Sequence, residues 1–368
     1  MSQNGHFHSN GSGLHVGSDR NNGNAPVRVA VVGLGYWGPN LVRNLHELPE
    51  AHVVGVCDAD VSRLETLGVR YPAIHGTTSF DALLEDPTLE AVAIATPVST
   101  HAELCARALE AGKHVFVEKP LAASSGEAEG LITLAENTGV TLMPGHTFLY
   151  SPPVVTIREL ISGGELGEIY FISTSRVNLG LHQADVSVAW DLGPHDFSIL
   201  RYWLEETPSH VTALSRGCVM PQIPDVTFIN LEFASGAIAH VELSWLAPSK
   251  LRRTTIVGSE KMVVYDDTSN EPVRVFDSGV TLPNPESFGE YRLTYRTGDI
   301  VSPRIAASEP LYLELADFCR AVRGGETPRS SSHLGLEVVK VIEAVDASLS
   351  RAGARTEVAT SAGIVYSA

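Results

Sequence analysis

Three glycines within six residues, Gly33-Leu34-Gly35-Tyr36-Trp37-Gly38, stand between a β-branched apolar run and a helical stretch. In that setting the spacing describes a cradle for phosphate, with Tyr36 and Trp37 inside it. Gly33 permits a tight turn, Gly35 lets backbone approach a pyrophosphate, and Gly38 lets helix pack on strand. The helix N-terminus then favours the negative charge. Asp58 closes the next apolar run, 20 residues after Gly38. There a carboxylate accepts a ribose 2′-hydroxyl and repels a 2′-phosphate, which favours NAD(H). Arg63, one helical turn further on, keeps NADP(H) open.

Other residues fall where a parallel sheet presents ligands, at the C-terminal ends of strands. Thr96 and Pro97 end one run, and Glu118-Lys119-Pro120 end another. His101, after Thr96, opens a helix; it reads first as structural and second as part of the cofactor set. Asp191 and His195 are spaced i, i+4 and share a face if a helix already begins there. On periodicity alone, Asp191 is a helix cap and His195 a buried polar residue. His146, His182 and His195 fit no metal-ligand spacing, so no metal is expected.

These positions need a scaffold that alternates strand and helix. From Val27 to about residue 147 the chain does so, which predicts βαβ units, a parallel sheet and an N-terminal Rossmann domain over 26–147. Residues 1–25 are rich in Gly, Asn, Ser and His and read as a disordered tail. From 148 to 368 short alternating strands dominate, after one helix and with helices at the end. They predict a C-terminal α+β domain for substrate and oligomerisation, with a large, mostly antiparallel open sheet. The helix at about 333–353 is expected to pack back on the first domain.

Composition narrows the function classes. The chain has 368 residues, with 43 acidic against 26 basic, a net charge of −17. Such a surface repels nucleic-acid backbones. No apolar run reaches the roughly 18–20 residues that span a bilayer, and the polar N-terminus shows no secretory signal. Cys57, Cys105, Cys218 and Cys319 have no metal spacing and read as buried thiols of a reducing cytoplasm.

The glycine motif, Ala95-Thr-Pro-Val-Ser-Thr-His-Ala-Glu103, Glu118-Lys119-Pro120 and Asp191-Leu-Gly-Pro-His195-Asp196 occur in one order and spacing. Together they resemble the Gfo/Idh/MocA (glucose–fructose oxidoreductase / inositol dehydrogenase) family over about residues 27–350. The resemblance implies hydride transfer between nicotinamide and a secondary alcohol or ketone. It implies that Lys119 lies beside the nicotinamide and the reacting alcohol. It makes His195 the general acid/base and Asp191 the residue that positions it, the substrate or both. The residue types suit that chemistry. An imidazole titrates near neutrality and can hold the hydroxyl proton, and a partly buried ammonium stabilises charge developing on oxygen. Pro120 implies an unusual peptide on one side of Lys119.

Residues 146–205 are similar to a branch of that family acting on nucleotide-linked sugars, of 3-dehydrogenase or 3-ketoreductase type. On that likeness Tyr150, Arg176, Asn178 and His182 become candidate substrate contacts, with ordinary structural roles equally open. The family also implies a homodimer or homotetramer. Two other classes stay in view: a non-catalytic dinucleotide-sensing regulator of the same fold, and a lyase or glycosidase working by transient oxidation.

Overall fold

The segment Val-Arg-Val-Ala-Val-Val is almost wholly buried and forms the centre of the first sheet, as an apolar β-branched run should. The computed structural model describes residues 25–180, 182–183, 185–281 and 294–360. The expectation of a disordered tail therefore falls, but for Ala25, outside the described residues. Strands and helices alternate as β1 (Val27–Val32), α1 (Gly38–Glu47), β2 (Ala51–Cys57), α2 (Val61–Arg70), β3 (His75–Thr77) and α3 (Phe80–Leu84). Next come β4 (Ala91–Ile94), α4 (His101–Glu110), β5 (His114–Glu118), α5 (Ser125–Thr138) and β6 (Leu142–Gly145). The sheet order is β3-β2-β1-β4-β5-β6, and every pairing is parallel. The order reverses between β1 and β4, where such sheets open a ligand crevice.

The second half runs through α6 (Pro152–Ser162), β7 (Ile169–Val177), α7 (Val188–Leu204), β8 (His210–Arg216), β9 (Val226–Glu232), β10 (Ile238–Ser244) and β11 (Leu251–Gly258). It continues with β12 (Met262–Asp266), β13 (Val273–Thr281), β14 (Thr294–Val301), α8 (Pro310–Gly324), α9 (Ser332–Ser350) and β15 (Thr356–Glu357). Nine strands form one sheet, β14-β13-β12-β11-β7-β10-β9-β8-β15. The β7–β10 pair is parallel and the others are antiparallel. Its inward residues, among them Ile229, Val241 and Ile256, meet Phe197, Trp203, Val341 and Val345 from α7 and α9. Exposed side chains such as Phe171, Leu214 and Ile238 remain on the sheet.

Three features depart from the sequence expectation. Helix α8 lies in the stretch assigned to the second unit, yet it packs on the first. Leu311, Leu315 and Phe318 join Val29, Leu41 and Phe116, with the Phe116 and Phe318 rings 5.9 Å apart. Helix α7 begins at Val188 and runs through Pro194, so Asp191 lies within its first turn instead of capping it. Cys218 is exposed, on the turn after β8, whereas Cys57, Cys105 and Cys319 are buried.

Helix α9 joins the two units. Glu343 accepts the Ser125 backbone N–H at 2.8 Å, and Gly335 lies so close to Pro144 that a Cβ there would stand 2.8 Å from the proline ring. No helix among the described residues is long and apolar enough to cross a membrane.

Candidate active site

Beyond β1 the chain turns at Gly33 with φ +90°. A Cβ at Gly33 would stand 2.7 Å from the Ala95 carbonyl oxygen, and one at Gly38 only 2.0 Å from that of Gly33. Gly35 differs: its Cβ would enter open space, with nothing nearer than Arg63 Nη1 at 3.9 Å. Gly33 and Gly38 are thus required by the fold, and Gly35 keeps open a cradle that a side chain would fill. Tyr36 and Trp37 stand exposed beside it, rings edge to face at 5.5 Å. The first turn of α1 holds no acid, leaving the helix N-terminus to an anion.

Asp58 closes the cradle. Its carboxylate accepts the Leu34 N–H at 2.6 Å and the Asp60 N–H at 2.8 Å, with Arg63 Nη1 at 3.4 Å. Gly33, Gly35, Asp58, Arg63, Thr96 and Pro97 line one cavity of about 990 Å³. His101 stays behind it. Its ring bridges the Pro120 and Thr96 carbonyls, each at 2.9 Å, and burial lowers its pKa. His101 therefore ties together two strand-end loops and does not reach the cavity.

Lys119 and Asp191 meet in the same cavity, which both line. Lys119 follows β5, and its peptide bond to Pro120 is cis. Its ammonium donates to the Asp191 backbone carbonyl at 2.7 Å and approaches the Asp191 carboxylate at 3.3 Å. An ammonium has three N–H donors; Asp191 takes two and one remains. His195 lies one turn further along α7 and is not among the residues lining the cavity; its ring is 4.9 Å from that of Phe148. Its Nδ1 is buried without a partner. Burial first, then Lys119, Arg176 and Arg252, hold its pKa well below the usual histidine range. The imidazole is therefore neutral at physiological pH and does not titrate near neutrality as its residue type suggests.

Behind Lys119 lies a buried polar layer. Glu118 also lines the cavity, and burial raises its pKa to about 7, against the pull of the neighbouring ammonium. Glu314, from α8, is raised well above the carboxylate range by burial and then by Glu118; it accepts the Thr147 hydroxyl at 2.7 Å. Burial drives His146 down to about 3.

The candidate substrate residues divide. Asn178 lines the cavity beyond β7, with Leu179, Gly180 and Gln183. Tyr150 does not reach it: its hydroxyl donates to Asp317 at 2.7 Å and accepts the Ser330 N–H at 3.0 Å inside the core. Arg176 does not reach it either. Its guanidinium is 5% exposed, pairs with Asp196 at 2.6 Å and lies over Phe148. His182 is turned onto the Trp245 ring at 5.3 Å. Trp245 carries no motif or spacing that marks it in the sequence, yet it lines the cavity and its indole N–H donates to Asp191 Oδ2 at 3.0 Å. The parallel β7–β10 register ends with Val177 opposite Ser244 and so sets Asn178 beside Trp245.

Comparison with known proteins agrees with this architecture. A family model described as "Oxidoreductase family, NAD-binding Rossmann fold" matches residues 27–146, and one for the "GFO/IDH/MocA C-terminal domain" matches 154–264. Scyllo-inositol 2-dehydrogenase (NAD(+)) of Bacillus subtilis is 30% identical over 316 residues, covering 82% of this chain and 88% of that protein. D-xylose 1-dehydrogenase (NADP(+)) 2 of Haloferax volcanii is 30% identical over 296 residues, covering 76% and 83%. The crystal structure of GenD2 from gentamicin A biosynthesis, in complex with NAD, superposes with a TM-score of 0.78 at 25% identity, covering 96% of this chain and all of that one.

Proposed function

Because the chain belongs to the Gfo/Idh/MocA family of NAD-binding oxidoreductases, we propose that it interconverts a secondary alcohol and a ketone on a sugar ring, most specifically a nucleotide-linked sugar. One observation carries the reading: the Lys119 ammonium, from the first unit, is held by Asp191 of the second in the glycine-lined cavity. When bound there, the nicotinamide supplies the hydride acceptor or donor. The chain's own groups manage the proton and the charge. Lys119 offers its remaining N–H to the reacting oxygen and stabilises charge developing on it. Asp191 holds that ammonium in place. His195, kept neutral by burial and by nearby cations, is available to take the hydroxyl proton during oxidation.

The Asp58 carboxylate favours a free 2′-hydroxyl, hence NAD(H), while Arg63 beside it leaves a path to NADP(H). Asn178 and Gln183, at the cavity wall, are suited to bond hydroxyls of a sugar that extends past the reacting carbon. The exposed apolar residues of the second sheet fit a homodimer or homotetramer. Buried thiols at Cys57, Cys105 and Cys319 suit a reducing cytoplasm. A sensor that only binds cofactor has no use for the Lys119–Asp191 pair.

A panel of NAD(H), NADP(H), free cyclic polyols and UDP- and dTDP-linked sugars tests the reading. A ligand at about 100 times its Kd stabilises by about 2.7 kcal/mol, a readable rise in melting temperature. The expected result is stabilisation by NAD(H), then reduction of NAD+ by one ring alcohol, with the nucleotide-linked sugars ahead of the free polyols. Stabilisation by NAD(H) with no turnover of any alcohol or ketone would overturn it in favour of the sensor.

A further inference from the structure

We propose, on the reading of Lys119 and Asp191 just given, that Trp245 is a positioning residue for the reaction: its indole N–H fixes the Asp191 carboxylate and, through it, the Lys119 ammonium.

The Asp191 carboxylate has one oxygen facing each neighbour. Oδ1 stands 3.3 Å from Lys119 Nζ, and Oδ2 accepts from Trp245 Nε1 at 3.0 Å. The indole N–H can only donate. A carboxylate engaged on both oxygens cannot turn about its Cβ–Cγ bond without losing a charge-assisted hydrogen bond, the stronger kind. Two of the three ammonium donors are thereby committed, and the third keeps a constant direction.

Trp245 is itself immobilised. Its backbone N–H donates to the Asp225 carbonyl and its carbonyl accepts the Gly180 N–H, both at 3.0 Å. The side chain is 1% exposed. Gly180 presses against the indole edge so closely that a Cβ there would stand 3.1 Å from Cδ1. The His182 ring also packs on the indole at 5.3 Å, and its Nε2 is 3.7 Å from Asp225 Oδ2. Asp225 is fully buried and accepts the N–H groups of Cys218 and Val219. The indole is thus set between the catalytic pair and a closed loop, with its one polar atom on Asp191.

An element that orients a group needed as charge develops is felt in kcat. Cofactor affinity should be spared, since Trp245 makes no contact with the glycine cradle or Asp58 among its hydrogen bonds and ring contacts. The test replaces Trp245 with 3-benzothienylalanine, which keeps the ring shape and removes the N–H, alongside Trp245→Phe. With NAD+ and the alcohol identified in the panel, the benzothienyl protein should lose at least about tenfold in kcat, the effect of one charged hydrogen bond. Its KM for NAD+ and its ligand-free melting temperature should be unchanged. The chain has four tryptophans. In 15N spectra of the ligand-free protein, the indole signal missing from the benzothienyl protein should move in both Asp191→Asn and Lys119→Ala. That readout needs no substrate.

Wild-type kcat in the benzothienyl protein, an indole signal indifferent to both substitutions, or a kcat loss matched by a lower melting temperature would each overturn the proposal. Lys119→Ala, assayed in parallel, separates the two levels. If it keeps turnover, the reading of the site itself is wrong. If it is inactive while the benzothienyl protein behaves as wild type, only the role of Trp245 falls.

Discussion

Lys119 Nζ lies 2.7 Å from the Asp191 backbone carbonyl oxygen and 3.3 Å from its carboxylate, across 72 residues of sequence. The pair is 11% and 25% exposed at the side chains, enclosed enough for its geometry to be held yet open to the cavity. Asp191→Asn keeps the backbone acceptor and removes the charge. Losing a charged hydrogen bond of about 1.5–3 kcal/mol lowers a rate by about ten- to a hundredfold. Steady-state kinetics should show that fall in kcat with NAD+ binding little changed; an unaltered kcat would make the carboxylate a bystander.

The two glycines flanking Tyr36 and Trp37 should respond to alanine in opposite ways. At Gly38 the new Cβ would stand 2.0 Å from the Gly33 carbonyl oxygen, so Gly38→Ala should lower the melting temperature of the ligand-free protein. At Gly35 the Cβ meets nothing of the protein within 3.9 Å. Gly35→Ala should therefore melt as the wild type does, while calorimetry shows NAD+ binding weakened by at least about tenfold, or about 1.4 kcal/mol. Equal loss of stability in both variants would contradict the cradle.

Asp58 holds the Leu34 N–H at 2.6 Å, and on the proposed reading its negative charge opposes a 2′-phosphate. Asp58→Asn retains an acceptor for Leu34 and removes the negative charge, and it leaves Arg63 free of that pairing. The ratio of NADP+ to NAD+ affinity should rise by about tenfold or more, a shift of about 1.4 kcal/mol. Titration of both cofactors checks it, and an unchanged ratio would remove Asp58 from the choice of cofactor.

Much of the parallel half is legible in the sequence because strands buried on both faces are continuous apolar runs, broken by glycine turns. The short β3 and α3 carry too few residues to show a period, and β14 is largely exposed and lacks alternation. The glycine cradle and Asp58 are local in sequence, so spacing finds them. Tyr150 and Arg176 have suitable polar tips and neighbours, but each points to a carboxylate away from the cavity, the half-buried Asp317 and the buried Asp196. Spacing carries no information on that choice of direction. Trp245 shows the converse. Its role depends on a parallel pairing, β7 with β10, inside a sheet whose alternation reads as antiparallel.

Ionisable groups in and behind the site set opposite pH limits on stability. Glu118 and Glu314 have pKa values raised above those of the unfolded chain, so their contribution is present at low pH and is lost as pH rises through about 7 for Glu118. His146 and His195 are depressed, so theirs is present above the unfolded value and is lost as pH falls, down to about 3 for His146. Glu314→Gln cannot ionise and still offers Thr147 an acceptor. Melting curves between about pH 6 and about pH 9 should show a shallower alkaline decline in that variant than in the wild type. The same decline in both would show that the buried acid is not what limits alkaline stability.

The most direct test removes the ammonium and leaves the cradle alone. In Lys119→Ala, turnover of the alcohol found in the ligand panel should fall by about 10²–10³ or more, the scale of a lost charge-stabilising donor, while the Kd for NAD+ stays within about threefold, or about 0.7 kcal/mol. Turnover at the wild-type rate with intact NAD+ binding would contradict the account, since the reaction would then proceed without the group that joins the two halves of the site.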